Sequence, residues 1–217
     1  MSAGSSAAAR AAALRAQARR GLWRRLLAWL GLGGRAVRRA DNRAALWAHG
    51  AAAEEATARL LAQLEPSGWT MWHDMALPGR LFNLDHVLAS PCGTAVVVLD
   101  TKAWRKSWTT FLVNGRVHCG SEDRHKQIEK VAGYAHTVAA ALGLPEAHVR
   151  PLVVVHGSPV AGGHLEAPTP HGPVYVLSPG LLVSSLAAAP GLPDRVRAGL
   201  LAAHVGSVIT PYVDRGR

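Results

Sequence analysis

Three polar residues in the middle of the chain have the types that phosphodiester chemistry needs. Asp100 and Lys102 follow the apolar run at residues 96–99, and Asp85 stands in the stretch before it. Side chains alternate along a strand, so Asp100 and Lys102 face the same side, with their Cα atoms about 6.6 Å apart. If the stretches on either side of the turn at residues 90–93 pair as a hairpin, Asp85 comes close to Asp100.

Two carboxylates that lie close together repel each other unless a cation sits between them. Carboxylate oxygens are hard ligands that suit Mg²⁺ or Mn²⁺, and a neighbouring lysine can position a water molecule or stabilise charge on a phosphate. The three residues therefore indicate metal-dependent phosphodiester cleavage. The alternative is a surface ion pair at a strand end, because the tripeptide Asp-x-Lys is common.

The surrounding stretches predict helices and strands that would place this hairpin inside one central sheet. Helices are predicted over residues 42–64, 121–142, 179–188 and 193–205, with Gly50 interrupting the first. Strands are predicted over residues 69–75, 82–89, 94–100, 149–156 and 174–177, with a loop over 157–173. The pair Asn114-Gly115 predicts a tight hairpin. This order of elements favours an α/β (mixed α+β) fold.

The positive charge of the chain is concentrated near its N-terminus. The 217 residues carry a formal net charge of +10, yet residues 1–50 contain ten arginines and a single acid, Asp41. Residues 51–217 hold 14 basic and 13 acidic side chains and are close to neutral. We therefore predict a basic Arg/Ala-rich arm over residues 1–41, partly disordered or an amphipathic helix, and a domain over residues 42–217.

Large apolar side chains interleave with arginines over residues 22–32, a pattern typical of helices that lie on an anionic membrane surface. A helix packed on the domain, a solvated arm and a nucleic-acid contact are the alternatives. No apolar run reaches the ~18 residues of a membrane span. Two cysteines favour a reducing compartment, and twenty arginines against four lysines favour a bacterial gene. We expect a cytoplasmic protein, either free or peripheral at the inner face of the membrane through residues 20–39.

The eleven histidines are scattered, and none has a partner at the spacing of zinc ligands, so the sequence predicts no zinc site. His86, next to Asp85, is expected to pack or to support a metal ligand rather than to act as a base. His156 ends a predicted core strand and could reach the same edge of the sheet.

Aromatic and basic residues that follow Lys102 are candidates for contact with nucleic acid. Trp104 lies next to Arg105 and Lys106, a combination that could stack on bases and hold phosphate. Core packing or a surface position is the alternative for the tryptophan. All four lysines lie between residues 102 and 130, and we include Lys126 with these contacts.

Several short motifs, taken in order, resemble the NERD domain, the nuclease-related domain of the PD-(D/E)XK superfamily. They are Gly-Ala-Ala-Ala-Glu at residues 50–54, Asn-Leu-Asp-His at 83–86, the run at 95–104, and Gln127 on a helix after a small hairpin. The resemblance covers about residues 45–213. It implies a restriction-endonuclease-like central sheet with an αβββαβ core flanked by helices.

The resemblance also implies a role for each residue that matches a family motif. Asp85 matches the principal metal ligand, Asp100 and Lys102 match the (D/E)-x-K signature, Glu54 matches the leading acid and a further metal ligand, and Gln127 matches a contact to phosphate or water. Two positions depart from the family pattern. Asp100 is an aspartate where glutamate is commoner, and Ala53 replaces the usual glycine, so both could alter metal placement.

Together these features predict a Mg²⁺- or Mn²⁺-dependent nuclease that acts on DNA rather than RNA, with Lys102 positioning the attacking water. The alternative is a catalytically weak nuclease-fold module that binds nucleic acid or protein. The near-neutral domain favours that alternative, because enzymes of nucleic acids usually present a basic groove.

Overall fold

The computed structural model describes residues 35–188 and 191–213, together with residues 9, 12 and 13. Most of the predicted basic arm, including residues 20–34 of the predicted membrane contact, lies outside the described residues. Within the described ranges, no helix is long and apolar enough to cross a membrane. The boundary predicted between residues 41 and 42 falls inside the first long helix, and the division into arm and domain stays a prediction.

A long helix precedes the first three strands of the sheet. Helix α1 spans Arg35–Leu61 and continues as a 3₁₀ helix over Ala62–Ser67. Strands β1, β2 and β3 span Thr70–Ala76, Leu84–Ala89 and Val96–Ala103. Three short strands follow, β4 at Thr110–Val113, β5 at Arg116–Cys119 and β6 at Glu122–Asp123.

The second half of the chain supplies the remaining helices and strands. They are α2 at His125–Leu142, β7 at Val149–His156, β8 at His164–Ala167, β9 at Val174–Leu177, α3 at Pro179–Ala187, α4 at Arg195–Val208 and β10 at Thr210–Pro211. Seven strands form the central sheet in the order β10-β1-β2-β3-β7-β9-β8, and β4-β5-β6 form a small separate sheet. Strands β1, β2 and β3 are antiparallel neighbours, whereas β3, β7 and β9 run parallel. Parallel strands need a crossover, and α2 lies in the connection from β3 to β7.

Helices cover both faces of this sheet. On one face, Val98 of β3 packs in a cluster with Val138 of α2 and Val205 of α4. On the other face, Leu99 packs with Leu61 of α1 and with residues of α3. Even-numbered residues of β3 therefore face α2, and odd-numbered residues face α1. The α/β (mixed α+β) fold is confirmed, and α1-β1-β2-β3-α2-β7 supplies the predicted αβββαβ order.

The turn between β4 and β5 has the backbone that its sequence predicts. Asn114 and Gly115 have φ angles of 48° and 76°, and Val113 pairs with Arg116 across the turn. Two consecutive positive φ angles define the tight turn that Asn-Gly favours.

Two features predicted for the helices are wrong. The helix predicted from Ser121 begins at His125, because Glu122 and Asp123 pair with β5 instead. The Asp123 carboxylate then accepts a hydrogen bond from the His125 backbone N–H at 2.8 Å. Gly50 does not interrupt the first helix, because a helical glycine costs only about 1 kcal/mol and buried alanines follow it.

The loop predicted over residues 157–173 contains β8, and β10 was not predicted. Both lie at the edges of the sheet and are four and two residues long. Short edge strands lack the continuous apolar run that marks a strand buried on both faces.

Candidate active site

The hairpin of β2 and β3 brings the carboxyl groups of Asp85 and Asp100 together. Its antiparallel register pairs His86 with Leu99, so the next opposed positions are Asp85 and Asp100. Opposed side chains of antiparallel strands lie on the same face. The backbone N–H of Thr101 donates to Asp85 Oδ2 at 2.8 Å, which fixes this carboxylate against β3.

Lys102 shares that face and forms an ion pair with Asp100 Oδ2. Only 8% of Asp100 is exposed, and the two residues lie opposite Val153 and Val155 of β7. A surface ion pair would leave both charges in solvent. The alternative of a solvated pair at a strand end therefore does not describe these residues.

The charges of the cluster act on one another. Burial raises the pKa of Asp85 well above its ordinary value, and the carboxylates of Asp100 and Glu54 raise it further. Lys102 and the Thr101 N–H act in the opposite direction without cancelling the shift. The effect of Glu54 places this residue of α1 within electrostatic range of Asp85, whereas direct contacts with β3 bring Asp85, Asp100 and Lys102 together.

The ammonium group of Lys102 stays charged in this environment. Burial alone would lower its pKa, but the carboxylates of Asp100 and Asp85 outweigh burial and raise the pKa. Lys102 is therefore a donor of hydrogen bonds rather than a base at neutral pH.

Gln127, the fifth predicted site residue, lies in the first turn of α2. Trp104 Nε1 donates to Gln127 Oε1 at 3.4 Å. Only 6% of Trp104 is exposed, and its ring packs with Val131 and Val153. Of the two alternatives for this tryptophan, core packing describes it, and its indole orients the Gln127 amide.

A family comparison matches residues 49–156 to the model of the nuclease-related domain. The chain carries a nuclease-related domain. The matched range runs from the middle of α1 to the end of β7 and contains all five predicted site residues. A search of curated proteins finds no match, and a search of solved structures finds none either.

Tyr134 is a residue of the nuclease-related domain that no motif indicated. Its side chain lies on α2 within electrostatic range of the cluster, where burial raises its pKa and the charge of Asp100 raises it further. The ring stacks on Phe82 with centroids 4.5 Å apart. Tyr134 lies two helical turns after Gln127 and thus on the same side of α2. That spacing is the signal from which the sequence could have predicted it.

The predicted nucleic-acid contacts Arg105, Lys106 and Lys126 are exposed. The Arg105 guanidinium lies over the ring of Trp108, 4.4 Å from its centroid. Arg105 and Lys106 follow β3, which carries Asp100 and Lys102. Lys126 lies in the first turn of α2, next to Gln127. Contact with nucleic acid stays a prediction.

Behind the cluster, on the α1 face of the sheet, five side chains form a continuous chain of hydrogen bonds. Thr101 Oγ1 donates to Thr57 Oγ1 at 3.1 Å and lies 3.3 Å from His86 Nε2. His86 Nδ1 lies 2.7 Å from His73 Nδ1. Thr57 Oγ1 lies 2.8 Å from His156 Nε2. Sequence patterns did not indicate this chain, because its members come from five separate elements, α1, β1, β2, β3 and β7.

The protons of this chain run in one direction. Burial, with the neighbouring histidines, lowers the pKa of His86 to about 3, so its ring is neutral and carries one N–H. Because Thr101 gives its only proton to Thr57, it must accept from His86 Nε2–H. His86 Nδ1 then accepts from His73 Nδ1–H, and the Thr57 hydroxyl, which accepts from Thr101, can give its own proton to His156 Nε2. The side chain of Thr101 is thus fixed on one face while its backbone N–H holds a carboxylate on the other.

The two histidines singled out from the sequence lie in this chain. His86 is fully buried on the opposite face from Asp85, which fits a supporting role rather than that of a base. His156 ends β7 opposite Ala103, and its bond to Thr57 keeps it on the α1 face. Neither ring lies on the face that carries Asp100 and Lys102.

The donor set of the cluster fits a hard divalent cation. Asp85, Asp100 and Glu54 offer carboxylate oxygens, the ligands that Mg²⁺ and Mn²⁺ prefer. Burial raises the pKa of Asp85, and repulsion from Asp100 and Glu54 raises it further. A bound cation relieves such repulsion, so these three residues could hold one beside Lys102.

Proposed function

We propose that this nuclease-related domain cleaves phosphodiester bonds in DNA with the help of Mg²⁺ or Mn²⁺. The observation that supports the proposal is the shared face of Asp85, Asp100 and Lys102, where two carboxylates and a charged ammonium lie at the end of a core strand. Glu54 adds a third carboxylate from α1.

In the proposed reaction each side chain of the cluster has a separate role. Asp85, Asp100 and Glu54 hold the cation, which stabilises negative charge on the phosphate. Lys102 donates to the attacking water and holds it in line with phosphorus. Gln127 binds a phosphate oxygen or this water. The water oxygen bonds to phosphorus as the ester bond breaks, one proton of this water passes to solvent, and the leaving oxygen takes up a proton, so that one strand end carries a phosphate and the other a hydroxyl.

Cleavage of supercoiled plasmid tests the proposal. The parent is expected to nick or degrade DNA with Mg²⁺ or Mn²⁺ and not with EDTA, whereas Asp85→Ala and Lys102→Ala lose activity. Glu166→Gln and Lys130→Ala are matched controls, because they change exposed residues of the same charges outside the cluster. Equal cleavage by Asp85→Ala, Lys102→Ala and the parent would refute the assignment.

A binding module is the second candidate function, favoured by the near-neutral charge of residues 51–217. It predicts metal-independent DNA binding that disappears when the arginines of the arm are replaced by glutamine, with no cleavage under any metal.

A membrane role is tested by flotation of the arm, fused to a reporter, with anionic liposomes. Absence of flotation at low salt would count against it.

A further inference from the structure

Three side chains that can bind a metal meet at a place apart from the carboxylate cluster. His136 lies on α2, Glu146 begins the 3₁₀ helix Glu146–His148, and His171 lies between β8 and β9. One ligand atom of each lies within 4.8 Å of those of the other two. Three separate segments of the chain thus offer two imidazoles and one carboxylate to a common point.

The present contacts leave these side chains able to rearrange. His136 Nδ1 lies 2.9 Å from Glu146 Oε1, and the rings of His136 and His171 stack with centroids 4.5 Å apart. The side chains of His136 and Glu146 are 43% and 59% exposed. Ligands bound at about 2.1 Å in a tetrahedral site stand about 3.4 Å apart. Side-chain rotations that move these ligand atoms by about an ångström would therefore bring them to the separation of a tetrahedral site.

We propose that His136, Glu146 and His171 form a second metal site, which takes Zn²⁺. Two imidazoles with one carboxylate form a ligand set that suits zinc, whereas Mg²⁺ and Mn²⁺ favour oxygen ligands throughout. Three protein ligands leave the fourth position to water, and the exposed surface admits it. Bound zinc would tie the connection between α2 and β7 to the segment before β9.

The sequence predicts no zinc site because these ligands do not follow a ligand pattern. Glu146 follows His136 by ten positions, and His171 follows Glu146 by 25 positions. Only the packing of the α2–β7 connection beside the segment between β8 and β9 brings them together. This proposal uses none of the residues of the proposed nuclease function and does not rest on it.

Cobalt titration of the full chain tests the site. The protein carries Asp85→Ala so that the carboxylate cluster does not compete for the ion, and visible absorption follows Co²⁺ as the probe. We expect one equivalent of Co²⁺ to bind at neutral pH, to be displaced by Zn²⁺, and to be lost in acid as protons compete for imidazole. His136→Ala, His171→Ala and Glu146→Gln should each weaken binding at least tenfold.

The control is His164→Ala, which removes an exposed histidine of β8 and should leave cobalt affinity unchanged. Circular dichroism confirms that each variant is folded. The proposal is overturned if Zn²⁺ does not displace Co²⁺, or if the His136→Ala/His171→Ala double variant binds as tightly as its parent. Loss of binding in a Cys92→Ser/Cys119→Ser variant, with the histidine variants unaffected, would overturn it by assigning the ion to thiols.

Discussion

Asp85 is an acid whose surroundings oppose its ionisation. Burial raises its pKa, and Asp100 and Glu54 raise it further, so the folded chain holds this proton more tightly than the unfolded chain. Stability from this group is complete below the ordinary pKa of an aspartate and falls as the pH rises towards the folded value. The ionised cluster therefore costs stability at neutral pH unless a cation is bound.

Replacing Asp85 by asparagine tests this cost. In EDTA, Asp85→Asn is expected to raise the free energy of unfolding at pH 8 and to change it little at pH 4, because the parent carboxyl is then neutral too. Urea unfolding at pH 8 and pH 4 measures the free energy of unfolding of the parent and the variant. In a separate measurement, millimolar Mg²⁺ should raise the Tm of the parent but not of the variant.

Asp123→Asn is the matched control for that experiment, with the opposite sign. The bond with Arg116 lowers the pKa of Asp123, so losing this charge should destabilise the protein at pH 8. An Asp85→Asn variant that is less stable than the parent at pH 8 and equal to it at pH 4 would contradict a raised pKa of Asp85.

The lowered pKa of His86 predicts the opposite dependence of stability on pH. Its pKa is lowered from 6.5 to about 3, so the unfolded chain takes up the extra proton and stability is lost as the pH falls through that window. His86→Gln should cost about 1–3 kcal/mol at pH 7, because the buried chain of hydrogen bonds is broken. It should then lose less stability than the parent between pH 7 and pH 4.

Unfolding by urea at pH 7, 5.5 and 4 measures this difference, with the exposed His164→Gln as control. If the free energy of unfolding changes with pH by the same amount in His86→Gln and in the parent, His86 is not the neutral buried ring inferred from the structure.

At the scale of elements, the end of β3 is fixed to β7 by a close backbone contact. The Trp104 N–H donates to the His156 carbonyl at 2.9 Å, and Gly157 then passes beside the Trp104 carbonyl with a φ of 85°. A Cβ on Gly157 would lie 2.3 Å from that carbonyl oxygen. This contact lies two residues beyond Lys102 and helps to set its position.

Gly157→Ala is therefore expected to destabilise the protein by about 1–3 kcal/mol, through strain at a positive φ and a backbone clash. Cleavage should fall with it as Lys102 shifts. The control is Gly199→Ala in α4, where a Cβ meets no atom within 4 Å and should stabilise by up to about 1 kcal/mol. Chemical denaturation and plasmid cleavage measure both variants, and unchanged stability of Gly157→Ala would contradict the clash.

The elements differ in how much of them the sequence predicts. Strands β3 and β7 are buried on both faces and read as continuous apolar runs, so their places were predictable. Alternation and the hairpin also predicted the meeting of Asp85 with Asp100 and Lys102. The Thr57–Thr101 bond was not predictable in this way, because α1 reaches the sheet only through tertiary packing.

For the whole molecule, the basic charge and the carboxylate cluster lie in different parts of the chain. Counterion release makes affinity for nucleic acid fall with salt in proportion to the phosphates contacted. A near-neutral domain supplies few such contacts, so we expect the arm to provide most of the salt-dependent affinity and the cluster to provide the chemistry.

Replacing six arginines of the arm by glutamine tests this division, at positions 10, 15, 19, 20, 24 and 25. The slope of log affinity against log salt should decrease by about 0.9 for each lost phosphate contact, while cleavage at saturating DNA is unchanged. Fluorescence anisotropy with a labelled duplex measures the slope. An unchanged slope would place the phosphate contacts on the domain.

The chemical role of the cluster is tested most directly by single-turnover cleavage of a labelled duplex, with Mn²⁺ binding measured in the same sample. We expect Lys102→Met to bind Mn²⁺ at least as well as the parent and to cleave at least 100-fold more slowly, because it loses only the donor that positions water. Asp85→Ala should lose both binding and cleavage. Cleavage by Lys102→Met at the parental rate with Mn²⁺ bound, or a parent that binds no Mn²⁺, would contradict the proposed mechanism.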